Sequence, residues 1–134
     1  MTNKTIVLDF IRAWESLDVD AVVGYFAPDA IYHNMPMEPL VGVADIRAFV
    51  APFLAGASRA EWQVHHIAET RTGVVLTERT DGFLVGGQWV RIRVMGSFEL
   101  SDGRITAWRD YFDLEQFNAQ MAKIAATQVQ EEQS

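Results

Sequence analysis

Two hydrophobic periods divide this chain. Before Gly56 the apolar positions recur every three or four residues, and from Ala60 to Phe112 they alternate. Ile6, Val7, Phe10, Ile11, Trp14 and Leu17 form one stripe, which predicts a first helix capped by Thr2 or Asn3. Asp18 suits an N-cap, so a second, short helix carrying Val22, Val23 and Phe26 is expected before Pro28 and Asp29 end it. Residues 30–34 read as a short strand. After Gly42, the residues Ile46, Phe49, Val50, Phe53 and Leu54 predict a third helix that Pro52 should kink or shorten and Gly56 should stop.

The alternating region reads as four strands over 61–70, 74–85, 89–100 and 104–112, separated by Thr72-Gly73, Gly86-Gly87 and Ser101-Asp102-Gly103, all good turn sequences. Leu114, Phe117, Met121 and Ile124 return to helical spacing, and the polar residues 128–134 are expected to fray. Helices followed by an antiparallel meander make an α+β fold, one domain over residues 1–134, with helices on one face of a curved sheet. The concave side of such a sheet encloses a pocket.

Composition narrows the chemistry. A formal charge of -7 argues against binding nucleic acid, which needs a basic face, and the absence of cysteine excludes disulfides and thiolate metal sites. There is no signal-peptide pattern and no apolar run of membrane-spanning length, which predicts a cytoplasmic protein without a membrane partner.

One strand breaks the pattern. Thr77, Arg79, Asp81 and Phe83 share a face, so two charges two residues apart point the same way. If Gly86-Gly87 is a two-residue turn, Arg79 pairs with Val94 and Asp81 with Ile92, on a strand whose Val90, Ile92, Val94 and Phe98 mark that face as buried. Buried charges need partners. A two-residue turn at Asp102-Gly103 would turn Asp110 to the opposite face. A three-residue turn with a bulge pairs Val94 with Asp110 instead and lines up Arg79 and Asp110 across three strands. The expected cluster is Asp81–Arg79–Asp110, two carboxylates on one guanidinium, in which one carboxyl is pushed toward holding a proton. That is an acid beside a base, with the assignment open. Tyr32 and Asn34, two apart on one strand, bring a hydroxyl and an amide that could hold a water molecule.

The segments Tyr32-His33-Asn34-Met35-Pro36, Thr77-Glu78-Arg79-Thr80-Asp81 and Trp108-Arg109-Asp110-Tyr111-Phe112-Asp113-Leu114 resemble the signature segments of the limonene-1,2-epoxide hydrolase family. The resemblance implies a cone-shaped fold of the nuclear transport factor 2-like type, mainly antiparallel with about four helices, a deep apolar pocket and a homodimer. It also implies one-step opening of a small apolar epoxide, terpenoid or cycloaliphatic, by water, with no covalent intermediate, metal or cofactor. Carried over, Asp110 takes the proton from a water held by Tyr32 and Asn34, Asp81 protonates the epoxide oxygen, and Arg79 links the two. Met35, Phe83, Ile92, Val94 and Phe112 are the candidates for the pocket lining.

Plainer readings stand beside these. A lone Arg-x-Asp in a sheet is more often a structural ion pair. Asp113, with Gln116 three residues on, reads as a helix N-cap outside the site. Trp108 reads as pocket wall or core rather than as a reactive group. His33, His65 and His66 offer no chelating pair, so no metal site is expected. The alternatives in function are a SnoaL-like cyclase or isomerase, and a small-molecule binder without catalysis.

Overall fold

The structure, a computed structural model, describes residues 2–133. Its elements are α1 (Asn3–Glu15), α2 (Val19–Val23), β1 (Phe26–Asn34), β2 (Leu40–Val41), α3 (Val43–Ala55), β3 (Arg59–Glu69), β4 (Val75–Val85), β5 (Gln88–Ser101), β6 (Arg104–Tyr111) and α4 (Leu114–Gln133). They form one curved sheet in the order β2-β1-β6-β5-β4-β3. β1 and β6 are parallel, and the other pairs are antiparallel.

The helices follow their stripes and caps. Thr2 accepts a bond from the Thr5 N–H at 3.1 Å, and α1 buries Val7, Phe10, Ile11 and Trp14. Asp18 caps α2 by accepting from Asp20 and Ala21. α2 is shorter than the sequence suggests. It ends at Gly24, and Phe26 opens β1 instead, buried at the sheet. Pro28 and Asp29 lie inside β1 at a break in its pairing with β6, which is where a strand tolerates proline's missing N–H. α3 runs through Pro52 to Ala55. β2 is too short to show a period in sequence. The polar segment after residue 127, expected to fray, continues α4 to Gln133, consistent with its good helix formers.

The helices cover one sheet face, and the core lies between them. Phe10 and Trp14 of α1 meet Trp62, Phe83, Phe98 and Trp108 of the strands in a cluster of edge-on and stacked rings. This is the face that carries Arg79. No helix among the described residues is long and apolar enough to cross a membrane.

Candidate active site

Gly86 and Gly87 both have positive φ (56° and 77°), so a two-residue turn joins β4 to β5 with Val85 opposite Gln88. From there the register runs without a break and sets Arg79 opposite Val94 and Asp81 opposite Ile92.

The next hairpin departs from expectation. Its turn holds two residues, Asp102 and Gly103 (φ 52° and 78°), with Ser101 opposite Arg104. A turn of that length would face Asp110 away from Arg79. The pairing shifts between Glu99 and Leu100, however, because Thr106 is an extra residue in β6, its hydroxyl donating to the Glu99 carbonyl at 3.1 Å. That bulge flips the rest of β6 by one face, and Asp110 ends opposite Gly96 rather than Val94.

Two rows of side chains result. Thr77, Gly96, Asp110 and Asn34 lie side by side across β4, β5, β6 and β1. Val75, Phe98, Trp108 and Tyr32 form the adjacent row. Arg79, one step further along β4, reaches diagonally to Asp110.

The guanidinium uses all of its donors. Nε and Nη2 donate to Asp81 at 3.0 and 2.8 Å, Nη1 and Nη2 to Asp110 at 3.2 and 2.8 Å, and Nη1 to the Thr77 hydroxyl at 2.9 Å. Five N–H groups meet five acceptor contacts, a fork that lysine cannot reproduce. Arg79 is wholly buried, and the rings of Trp62, Phe98 and Trp108 lie 5.0–5.9 Å from its Cζ. Burial works against its charge, but Asp110 and Asp81 overcome that and hold its pKa above the ordinary value.

The two carboxylates are not equivalent. Among the described residues, Asp81 accepts from Arg79 alone. Asp110 accepts from Arg79 and also from the Trp108 indole N–H at 2.7 Å. Each N–H favours the ionised form of the carboxylate it points at, so a proton shared by the pair belongs on Asp81. Burial pushes the Asp81 carboxyl up to about 6 against the pull of Arg79, and the charge of Asp110 adds to the rise. Trp108 is aimed by the row it belongs to. Its ring stacks on Tyr32 at 4.2 Å and on Phe98 at 5.3 Å.

Tyr32 and Asn34 are brought to this site by the parallel pairing of β1 with β6. Burial and the charge of Asp110 raise the Tyr32 pKa, so its hydroxyl keeps its proton as a donor. A cavity of about 190 Å³ opens on Asp81, Asp110, Tyr32 and Asn34. Phe83, Ile92, Val94 and Phe112 line it as expected of them by alternation, and helix residues Phe49, Phe53 and Phe117 close it. Met35 does not line it. β1 ends at Asn34, Met35 alternates away and is exposed, and Met37 takes the place after the turn.

Thr77 and Trp108 were the residues sequence reading undervalued. The signal for Thr77 was its place on the Arg79 face. The signal for Trp108 was its spacing of two from Asp110. The histidines are spread: His33 bonds the Met37 carbonyl, His65 bonds Thr80, and His66 lies 3.8 Å from Glu78. Among the described residues no group of three His, Cys, Asp or Glu could hold a metal ion. Asp113 accepts from the Gln116 N–H at 3.2 Å, as a helix N-cap does.

Residues 1–123 match the model of the limonene-1,2-epoxide hydrolase catalytic domain. The chain belongs to the limonene-1,2-epoxide hydrolase family. Among similar proteins, epoxide hydrolase EphG of Mycobacterium tuberculosis is 37% identical over 110 residues, 78% of this chain and 69% of that protein. Epoxide hydrolase LasB of Streptomyces lasalocidi is 33% identical over 112 residues, and the match spans 80% of this chain but only 40% of LasB. A solved limonene-epoxide-hydrolase-like epoxide hydrolase from M. tuberculosis superposes with a TM-score of 0.78 at 31% identity, covering 95% of this chain and 94% of that one. A SnoaL-like polyketide cyclase from Shewanella denitrificans has the same fold, with a TM-score of 0.79 at 16% identity over 90% of this chain and 97% of that one.

Proposed function

We propose that this member of the limonene-1,2-epoxide hydrolase family converts a small apolar epoxide, terpenoid or cycloaliphatic, to a vicinal diol in one step. The observation that carries the reading is a single buried guanidinium shared by two unequally wired carboxylates, both facing an apolar cavity. Tyr32 and Asn34 hold a water beside Asp110. Asp110 takes a proton from that water as its oxygen attacks an epoxide carbon. The carbon–oxygen bond of the ring breaks, and the leaving oxygen takes the proton of Asp81. Arg79 stays charged throughout and spreads over both carboxylates, so the negative charge that passes from Asp110 to Asp81 stays within reach of one cation. The site is ready again when Asp110 loses its proton and Asp81 regains one.

The residues supply acid and base without a metal or a covalent ester. The walls of phenylalanine, isoleucine and valine suit a compact hydrocarbon frame and exclude bulk water. A homodimer belongs to the same proposal. The uncovered sheet face leaves Leu76, Met95 and Tyr111 exposed beside charged residues, which suits contact with a second copy.

The test is diol formation from cyclohexene oxide and limonene oxide by the wild type beside Asp110→Asn. Diol is expected from the wild type, with a loss of about 10³-fold or more in the variant. In oxygen-18 water a single turnover should label the diol directly. Label appearing first on Asp81 or Asp110 would mean nucleophilic catalysis. No diol from a broad epoxide panel would overturn the reading in favour of a cyclase, an isomerase or a silent binder.

A further inference from the structure

Arg79 and Asp110 sit on strands that do not touch. β5 lies between β4 and β6, so any side chain of β5 at the crossing would stand in the path of the guanidinium. The residue at the crossing is Gly96, opposite Thr77 on one side and Asp110 on the other. A Cβ placed on Gly96 would lie 2.5 Å from Asp110 Oδ1, closer still to Arg79 Nη1, and 3.1 Å from Thr77 Oγ1. Real Cβ atoms essentially never approach neighbours within 3.0 Å.

The backbone gives no other reason for glycine there. Gly96 is not among the glycines with positive φ, and β5 pairs with β4 through it without a break. A glycine inside a strand weakens it, so its place in the middle of this sheet needs a cause. The atoms it would collide with are tied down, so moving them breaks bonds. Nη1 is held by Thr77 and Asp110 together, and Asp110 Oδ1 is held by Trp108.

We propose that Gly96 is a positioning residue of the active site: its missing side chain is what lets one arginine hold both carboxylates across an intervening strand. The inference rests on the proposed hydrolysis for its consequence in rate, and on geometry alone for its consequence in stability. A methyl group at this point drives Arg79 and Asp110 apart by about 1 Å, a displacement that costs on the order of 100-fold in rate at a reacting pair. Arg79 then serves Asp81 alone and favours its ionised form, so the acid is lost at a lower pH.

Two measurements test this. The first compares Gly96→Ala with wild type on cyclohexene oxide from about pH 5 to pH 9, alongside circular dichroism. The expected result is a kcat lower by about 100-fold with KM within a few-fold, and an alkaline limb moved to lower pH. A purely structural role would scale the profile and leave its limbs in place, and that result, or an unchanged kcat, overturns the proposal. The second measures the stability cost of Gly96→Ala by denaturant unfolding in wild type and in Asp110→Ala, where Arg79 is free to swing away. The cost should be much smaller in the second background. An equal cost in both, including failure to fold in both, overturns the proposal. This second test needs no substrate, so it stands or falls separately from the epoxide reading.

Discussion

Trp108→Phe removes one hydrogen-bond donor together with part of a wholly buried ring. The phenyl ring keeps a place in the stack between Tyr32 and Phe98, now 4.2 and 5.3 Å from the indole. What disappears is the 2.7 Å bond from the indole N–H to Asp110 Oδ1, the contact that Asp110 has and Asp81 lacks. A hydrogen bond to a charged group contributes about 1.5–3 kcal/mol. At about 1.4 kcal/mol per tenfold, the preference of the proton for Asp81 over Asp110 should weaken by roughly 10- to 100-fold. The productive arrangement, a protonated Asp81 beside an ionised Asp110, then loses ground to the reversed one. Initial rates of diol formation from cyclohexene oxide, followed by gas chromatography, should give a lower kcat/KM, by up to about 100-fold. The melting temperature should fall by several degrees, since the smaller ring leaves space in a wholly buried stack, while the fold is kept. A kcat/KM within twofold of wild type and an unmoved pH profile would refute the idea that this donor separates acid from base.

Three further expectations follow from the same geometry. Arg79→Lys replaces five N–H donors by three on one atom, so at least two charge-assisted bonds of about 1.5–3 kcal/mol each are lost. Denaturant unfolding should show a loss of about 3–6 kcal/mol, and a loss under about 1 kcal/mol would contradict the shared fork. Burial pushes the Asp81 carboxyl from an ordinary 3.8 up to about 6, so between those values the folded state binds the extra proton. Its contribution to stability is therefore greatest below about pH 4 and is lost as pH rises toward 6, and kcat/KM falls above the same point. The slope should vanish in Asp81→Asn, and a persistent slope in the variant would assign it to other groups. Phe53, Phe83 and Phe117 border both the main cavity and a second apolar one of about 150 Å³ that reaches Val85, Val90 and Met121. Phe117→Ala joins the two, and epoxides with alkyl substituents should gain roughly fourfold in kcat/KM per added methylene, at about 0.8 kcal/mol each. No gain with chain length would mean that the second cavity stays closed to substrate.

The sequence by itself determined whatever depends on neighbours along the chain. Alternation placed Arg79 beside Asp81 and Tyr32 beside Asn34 because a strand's side-chain period is two. Gly86-Gly87 set the β4–β5 register because paired residues of positive φ admit one tight turn, and Thr2, Asp18 and Asp113 announced helix starts through their side-chain acceptors. The three signature segments pointed to the family and to the same five polar residues. What lay between strands was decided only by the tertiary structure. Asp110 was expected opposite Val94 through a three-residue turn. It reaches the right face instead because a two-residue turn and the Thr106 bulge offset each other, leaving it two residues away, opposite Gly96. A bulge has no sequence period of its own, and a shift of one residue reverses every side chain beyond it. The indole bond to Asp110 and the clearance over Gly96 depend on that register, as the exchange of Met35 for Met37 in the cavity depends on where β1 ends. Distances across strands are sums over turns, bulges and packing, and only the folded chain completes that sum.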